Sequence, residues 1–296
     1  MGVALALAAM LGFAVNILLT RYAVARMPVE AGFFVVLATN AVFPATLWGI
    51  ELAVQPAPLV WNWKGAGLFA VAGVIGTFLG RRFLFDTVRL LGPSRASVFH
   101  SSAPAFALLG AWLLAGERLG VYELALVAVV WIGLWFTQPR AGASAPELVR
   151  EVWRKGMIAG LLTVAGFGFG NVLRGLAIRE WSEALLGTLL ATLAALAFQI
   201  AATRNWARIR AQFRAADRAA IALYVGCGIC TSLGSIFVTL AMMRMEIGLA
   251  VLVVHTTPLV IFPFSVFVLG SREELVPRTI AGALLVLGGI ALLAIR

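Results

Sequence analysis

Long runs of apolar residues dominate the chain, and short charged or turn-rich segments separate them. The stretch from Ala219 to Met243 contains no charged residue, and neither does the stretch from Ile247 to Gly270. An apolar helix of about 20 residues spans the hydrocarbon core of a bilayer. We therefore expect an all-α polytopic membrane protein. Its ten predicted transmembrane helices lie near residues 3–24, 30–53, 65–88, 94–115, 118–138, 156–178, 182–203, 219–243, 247–270 and 276–295.

The connections between these runs are short, and the two longest are predicted at 139–155 and 204–218. Neither is long enough to build a soluble catalytic domain. Hydrophobic residues make up 62% of the 296 residues and charged residues only 12%. A soluble domain carries about 25% charged residues. Composition thus agrees with run length, and the expected environment is a lipid bilayer.

The distribution of positive charge predicts orientation. A net charge of +10 could indicate nucleic acid, but the arginines gather in short segments between apolar runs, and no nucleic-acid motif is present. Most of the 23 basic residues fall in connections 1–2, 3–4, 5–6, 7–8 and 9–10. The positive-inside rule makes that side cytoplasmic and puts both termini outside. Residues 1–20 lack the charged start and cleavage site of a signal peptide, so they are read as the first span.

An internal repeat appears when the sequence is shifted by 155 residues. Asn16 then falls on Asn171, and the chain's two histidines, His100 and His255, fall on each other. Five helices followed by five predict two inverted repeats, because an odd number turns the second half upside down. We place them at 1–140 and 156–296, joined by a loop at 141–155 within one membrane domain. Such repeats enclose a central midplane cavity in many secondary transporters.

The block "RLLGPSRASVFHSSAPAFALLGAWLLAGERL" at 89–119 and the 5+5 plan resemble the EamA-type branch of the drug/metabolite transporter superfamily. The most specific positions are Ala96, Pro104, Gly116 and Glu117. The second half departs from them, with its proline moved to position 258 and the segment 270–273 interrupting the Gly-Glu pair. The resemblance implies a cavity lined by spans 1, 3, 4, 6, 8 and 9. It also implies a bacterial-type inner membrane and export of amino acids and related metabolites.

Polar side chains inside the spans are the candidate site residues, since an amide in lipid is costly unless it is hydrogen-bonded. Each could contact substrate or bond one helix to another, and the histidines could also relay protons. A zinc site needs three or four ligands, and no cysteine or carboxylate lies near either histidine in sequence, so we predict no metal. The candidates for the cavity are Asn16, His100, Ser101, Asn171, His255 and Thr256.

Charged residues within the third span require an explanation, because burying a charge in the bilayer is costly. Arg82 and Asp86 are four residues apart, so they can pair on one helix face. Either the helix ends at Gly80 and the arginines lie among headgroups, or Arg81 or Arg82 faces the cavity. In the second case it would serve as a gate or as a partner for a substrate carboxylate.

Prolines within spans predict kinks, because each removes a backbone hydrogen bond. These are Pro44, Pro104, Pro258 and Pro263. Cys227 and Cys230 have the spacing of a redox pair. Their segment "VGCGICTSLGS" is rich in small residues, which favours helix packing instead.

The sequence therefore predicts a transporter and not an enzyme. We expect a monomer that exports small metabolites, most specifically amino acids, by alternating access. The alternatives are a channel or uniporter, a membrane redox protein using the two cysteines, and a ligand-sensing receptor. We predict no cofactor, and no P-loop for ATP is present.

Overall fold

The computed structural model describes residues 1–55, 58–91, 99–100, 102–118, 120–121, 124–125, 128 and 147–257. Every regular element in this part of the chain is a helix, which confirms the all-α class. The helices are α1 (Gly2–Val24), α2 (Val29–Val54), α3 (Trp63–Leu91), α4 (Ala103–Ala115), α5 (Glu147–Glu180), α6 (Ala184–Ala202), α7 (Trp206–Ala215), α8 (Arg218–Met242) and α9 (Ile247–Val254). The predicted span at 276–295 and nearly all of that at 118–138 lie outside the described residues.

Within the described residues, six helices are long and apolar enough to cross a membrane, namely α1, α2, α3, α5, α6 and α8. Four of them agree closely with the predicted spans at 3–24, 30–53, 182–203 and 219–243. The chain is thus a multi-pass membrane protein.

Two helices extend beyond their predicted limits. α3 continues through Gly80 to Leu91, so the expectation that this helix ends at Gly80 is wrong. α5 begins at Glu147, inside the predicted connection 139–155, and Lys155 Nζ pairs with Glu151 Oε1 at 2.7 Å on its surface. Charged residues of opposite sign at helical spacing support a helix beyond its apolar run.

A short helix, α7, occupies most of the other predicted connection, 204–218. Asn205 caps it by accepting a hydrogen bond from the Arg208 backbone N–H at 2.9 Å. Arg208 also forms an ion pair with Glu30 of α2 at 3.3 Å. A side-chain cap and an ion pair therefore stabilise a helix in a segment that was predicted only as a connection.

The chain divides into two compact units, each drawing on both halves of the sequence. Unit 1 comprises Met1–Val74 and Leu173–Met245, and unit 2 comprises Ile75–Val172 and Glu246–Arg296. One boundary falls in α3, within a π-helical stretch at Gly73–Gly80. The others fall within α5 and in the turn between α8 and α9.

In unit 1, α1 shows how a membrane helix divides its two faces. Val3, Leu7, Leu11 and Val15 recur every four residues and are exposed on the protein surface. Buried small residues, among them Ala6, Ala9 and Ala14, form the opposite face. Large aliphatic side chains thus line the outside, and small ones allow close helix contact, as expected for a helix in lipid.

Close packing against α8 uses glycine. A Cβ at Gly12 of α1 would lie 3.1 Å from the Cys230 carbonyl oxygen and 3.4 Å from Gly234 Cα. A Cβ at Gly228 would lie 2.5 Å from Thr39 Cβ of α2. The small residues of the α8 segment therefore let α1 and α2 approach it closely.

In unit 2, the glycines of α5 meet large side chains of other segments. A Cβ at Gly160 would lie 2.8 Å from the Phe99 ring, and one at Gly168 would lie 2.6 Å from Phe106 Cβ. The apolar core next to them includes Phe99, Leu108, Val164 and Leu252. The glycine-rich sequence of α5 thus serves tight helix packing in this unit.

Candidate functional site

His100 lies at an interruption in what was expected to be one continuous span, 94–115. Phe99 and His100 are helical, Ser102 forms a turn, and α4 begins at Ala103. The Ser102 N–H donates to the Phe99 carbonyl at 3.0 Å. Pro104 lies in the first turn of α4, where the missing N–H costs no hydrogen bond. The proposed kink in mid-helix at Pro104 is therefore corrected to a helix start.

His255 lies at a second interruption, where the predicted span 247–270 was expected to continue. α9 ends at Val254, and residues 255–257 form a turn. The His255 backbone N–H donates to the Val251 carbonyl at 3.0 Å. The hydroxyls of Thr256 and Thr257 donate to the carbonyls three residues earlier, at 2.7 and 2.6 Å. The backbone N–H groups of the same two threonines donate to these carbonyls as well, at 3.1 and 3.4 Å.

Unit 2 brings the two histidines together. Their ring centroids are 5.3 Å apart, and the rings are tilted by 45°. The His100 ring also meets Phe167 of α5 edge-on at 4.8 Å. His255 is only 9% exposed, and the positive charge of Arg81 acts electrostatically on His100. The pair therefore presents imidazole nitrogens, which can donate or accept hydrogen bonds, among largely apolar walls.

Glu117 holds the start of α9, the helix that carries His255 at its end. Its Oε1 accepts from the Ile247 N–H at 2.8 Å, and its Oε2 accepts from the Gly248 N–H at 3.1 Å. Gly116 ends α4 with φ of 68°, a left-handed conformation that favours glycine. The Gly-Glu pair of the sequence block thus has a physical role, because glycine turns the chain and the carboxylate caps a helix distant in sequence.

Neither of the two amides that were predicted to face a cavity is fully buried. Asn16 and Asn171 are both half-buried. The Asn16 backbone carbonyl accepts a hydrogen bond from Thr20 Oγ1 at 2.7 Å. A buried amide that the sequence interpretation overlooked, Asn40, lies 3.1 Å from Ser232 Oγ and links α2 to α8.

Two charged residues of α3 form an ion pair within the helix. Arg82 is exposed, and Asp86 Oδ1 pairs with Arg89 at 3.2 Å instead of with Arg82. The pair that forms is therefore not the Arg82–Asp86 pair that the spacing also allows. Charges three residues apart can also meet on a helix, and Asp86 pairs with Arg89, three residues later. Arg81 is half-buried in unit 2.

Three predicted residues, Ser101, Pro258 and Pro263, lie outside the described residues. Pro44 lies inside α2 and is buried, so the Asn40 carbonyl one turn earlier lacks its usual helical donor. Cys227 is buried in α8, with its Sγ 3.4 Å from Thr20 Oγ1. That contact between helices agrees with packing as the role of the cysteine segment.

Sequence reasoning missed Arg174, which lies within α5 and is only 9% exposed. The available signal was a charged residue inside a predicted span. Arg174 was not singled out because it lies close to the charged residues at the end of that span. No group of three or more His, Cys, Asp or Glu residues within the described part of the chain is placed to hold a metal ion.

These features define a class, a multi-pass helical membrane protein with polar side chains at helix interruptions. Residues 1–138 match the model of the EamA-like transporter family, which confirms the resemblance carried by the sequence block. The matched family is one of transporters. One solved structure, described as a crystal structure of a protein, is 22% identical in sequence to this chain and superimposes with a TM-score of 0.66. The match covers 98% of this chain and 96% of the other chain. That likeness shows the fold alone. No curated protein matches the chain.

Proposed function

We propose that the protein is a secondary transporter that exports small metabolites, specifically amino acids, by alternating access. The observation that carries the proposal is the meeting of His100 and His255 at two helix interruptions within one unit. Interrupted helices expose polar groups inside a membrane protein, and transporters bind substrate at such places. The match to transporters over residues 1–138 supports the same conclusion.

In this proposal, two inverted five-helix repeats, 1–140 and 156–296, surround a central midplane cavity. The 155-residue shift that superimposes His100 on His255 and Asn16 on Asn171 supports the repeat. The imidazoles would hydrogen-bond the substrate, and Arg81 would lie at a gate beside His100. The protein would work as a monomer in a bacterial inner membrane with both termini outside.

Transport by the purified protein in liposomes tests the proposal. Radiolabelled amino acids are loaded on one side, and saturable counterflow is expected for a subset of them. A flux that rises linearly with concentration would contradict alternating access and indicate a channel.

Histidine variants test the site. His100→Phe and His255→Phe keep the aromatic packing but remove the nitrogens, so each should raise the KM for transport. Because both rings are expected to contact one substrate, the two effects should be non-additive in the double variant. Thr257→Val is the control, since the Thr257 hydroxyl bonds its own backbone. Unchanged KM in both histidine variants would remove the pair from the site.

A further inference from the structure

Arg174 is a buried cation in unit 1 whose charge no residue of that unit neutralises. It lies within α5, in the candidate membrane span Arg150–Glu180, and 91% of its surface is covered. Its Nε atom is enclosed and makes no hydrogen bond. Among the described residues, no ion pair or hydrogen bond of the Arg174 side chain is present.

The acidic residues of unit 1 are engaged elsewhere or remain apart from Arg174. Glu30 pairs with Arg208, Glu180 with Lys64, and Asp217 with Arg26. The other two, Glu51 and Glu183, make no ion pair with Arg174 at 4.0 Å or less. The unit therefore buries a guanidinium without supplying its counter-ion.

Such a charge is costly inside a membrane protein, and arginine does not escape the cost by losing its proton at neutral pH. The guanidinium has five N–H donors and no acceptor, so only acceptor groups can satisfy it. Its planar fork fits the two oxygens of a carboxylate. Among the described residues this buried fork has no partner, and its shape and charge are complementary to those of an anionic ligand.

An independent feature lies on the next helix. The hydroxyl of Thr188 in α6 is buried and has no hydrogen-bond partner. Other membrane-helix threonines donate their hydroxyls to the carbonyl four residues earlier, among them Thr20, Thr39, Thr87, Thr163, Thr192, Thr231 and Thr239. Thr188 departs from this pattern, so its hydroxyl remains available to a ligand.

Arg174 and Thr188 lie at similar heights in the unit. α5 ends at Glu180 and α6 begins at Ala184, and a connection this short makes the two helices antiparallel. At 1.5 Å per residue, Arg174 lies about 9 Å from the end of α5, and Thr188 lies about 6 Å from the start of α6. Both polar groups are therefore near the same level, within the membrane-spanning part.

We propose that Arg174 binds the carboxylate of the transported molecule, with the Thr188 hydroxyl as a second donor at the same level. The inference rests on the proposed transport function and assigns the residue that would recognise the carboxylate of its substrates. A single carboxylate matches the single positive charge of Arg174, whereas a phosphate would leave charge uncompensated.

Binding of matched ligands tests the proposal. The purified full chain is tested by thermal shift with L-amino acids, with the corresponding amino-acid amides, and with inorganic phosphate. The acids should stabilise the protein and the amides should not. Stabilisation by amides as strong as that by acids, or by phosphate alone, would overturn the carboxylate assignment.

Variants of Arg174 test the residue itself. Arg174→Met keeps the long apolar stem and should weaken binding of the acids by about 10- to 100-fold, the loss expected for a charge-assisted hydrogen bond. Arg174→Lys keeps the charge without the fork and should lie between. Arg179→Met is the matched control on the same helix, because Arg179 is exposed and bonds the Met245 carbonyl. It should bind acids like the wild type.

Thr188→Val should weaken binding of the acids several-fold, while Thr192→Val, whose hydroxyl bonds its own helix, should leave it unchanged.

The stability of the ligand-free protein separates a binding role from a structural one. If Arg174 serves a ligand, Arg174→Met should melt at the same temperature as the wild type or higher, because it removes an uncompensated charge. A clearly lower melting temperature would make Arg174 a structural residue and overturn the proposal. Failure of the transport function is distinguishable, since acids would then still bind through Arg174 while no substrate crossed the liposome membrane.

Discussion

The carboxylate of Glu117 gives the sharpest stability prediction, because it accepts hydrogen bonds from two backbone groups at the start of one helix. It accepts two N–H bonds, at 2.8 Å from Ile247 and 3.1 Å from Gly248, at the first turn of α9. Glu246, which precedes α9, supplies no side-chain cap. Glu117→Ala would therefore leave two donors in a buried first turn without acceptors.

The expected loss can be worked from these bonds. A hydrogen bond to a charged group contributes about 1.5–3 kcal/mol, and a negative charge at a helix N-terminus adds about 0.3–1 kcal/mol. Water entering the vacated space would recover part of this. We expect Glu117→Ala to cost about 2–4 kcal/mol, and Glu117→Gln, which keeps one acceptor oxygen, about half as much. At about 2 °C per kcal/mol, the alanine variant should melt about 4–8 °C below the wild type.

The assay is thermal unfolding in detergent, followed by size-exclusion of the folded fraction. Glu183→Ala is the control, since Glu183 is a glutamate at the start of a helix, α6, whose side chain makes no cap hydrogen bond. It should shift the melting temperature by less than about 1 °C, as a substitution outside any cap. Equal shifts for the two alanine variants would refute the capping role of Glu117.

Three further predictions use the same preparations. Gly168→Ala places a Cβ 2.6 Å from Phe106 Cβ and should cost about 1–3 kcal/mol, whereas Gly49→Ala meets nothing within 4 Å and should stabilise α2 by up to about 1 kcal/mol; equal melting temperatures would contradict the packing role of the α5 glycines. Gly116→Ala, at φ of 68°, should cost about 1 kcal/mol and leave liposome transport intact. Serine at both Cys227 and Cys230 should preserve transport, and loss of transport in a well-folded double variant would favour the redox alternative.

The transmembrane helices were predictable because lipid leaves a direct mark on sequence. A helix that crosses a bilayer satisfies its backbone internally and needs an unbroken apolar run, so the ends of α1, α2, α6 and α8 fall within two residues of the predicted limits. Polar helices outside the bilayer need no apolar run, so this signal does not find them. α7 was missed although Asn205 offers a local N-cap, and its ion pair to Glu30 is a contact that only the fold brings together.

The interruptions at the two histidines were only partly predictable. The 155-residue shift makes the two histidines equivalent in sequence, and the structure places their rings 5.3 Å apart. An apolar run does not reveal where a helix stops within it. α9 ends at Val254, and the hydroxyls that follow bond nearby carbonyls, but threonine also does this inside a helix, as Thr163 does in α5.

The proposed repeat separates two kinds of polar residue, and the separation bears on function. The histidines and Asn16 with Asn171 recur at a spacing of 155, as expected of features that belong to the shared fold. Arg174 does not recur, because the corresponding position is Leu19, a half-buried apolar residue of α1. A substrate with one carboxylate has no two-fold symmetry, so a site that binds it in one orientation must break the symmetry of its repeats. In the proposal Arg174 supplies this asymmetry, which is the reason to begin mutagenesis of the substrate site at position 174.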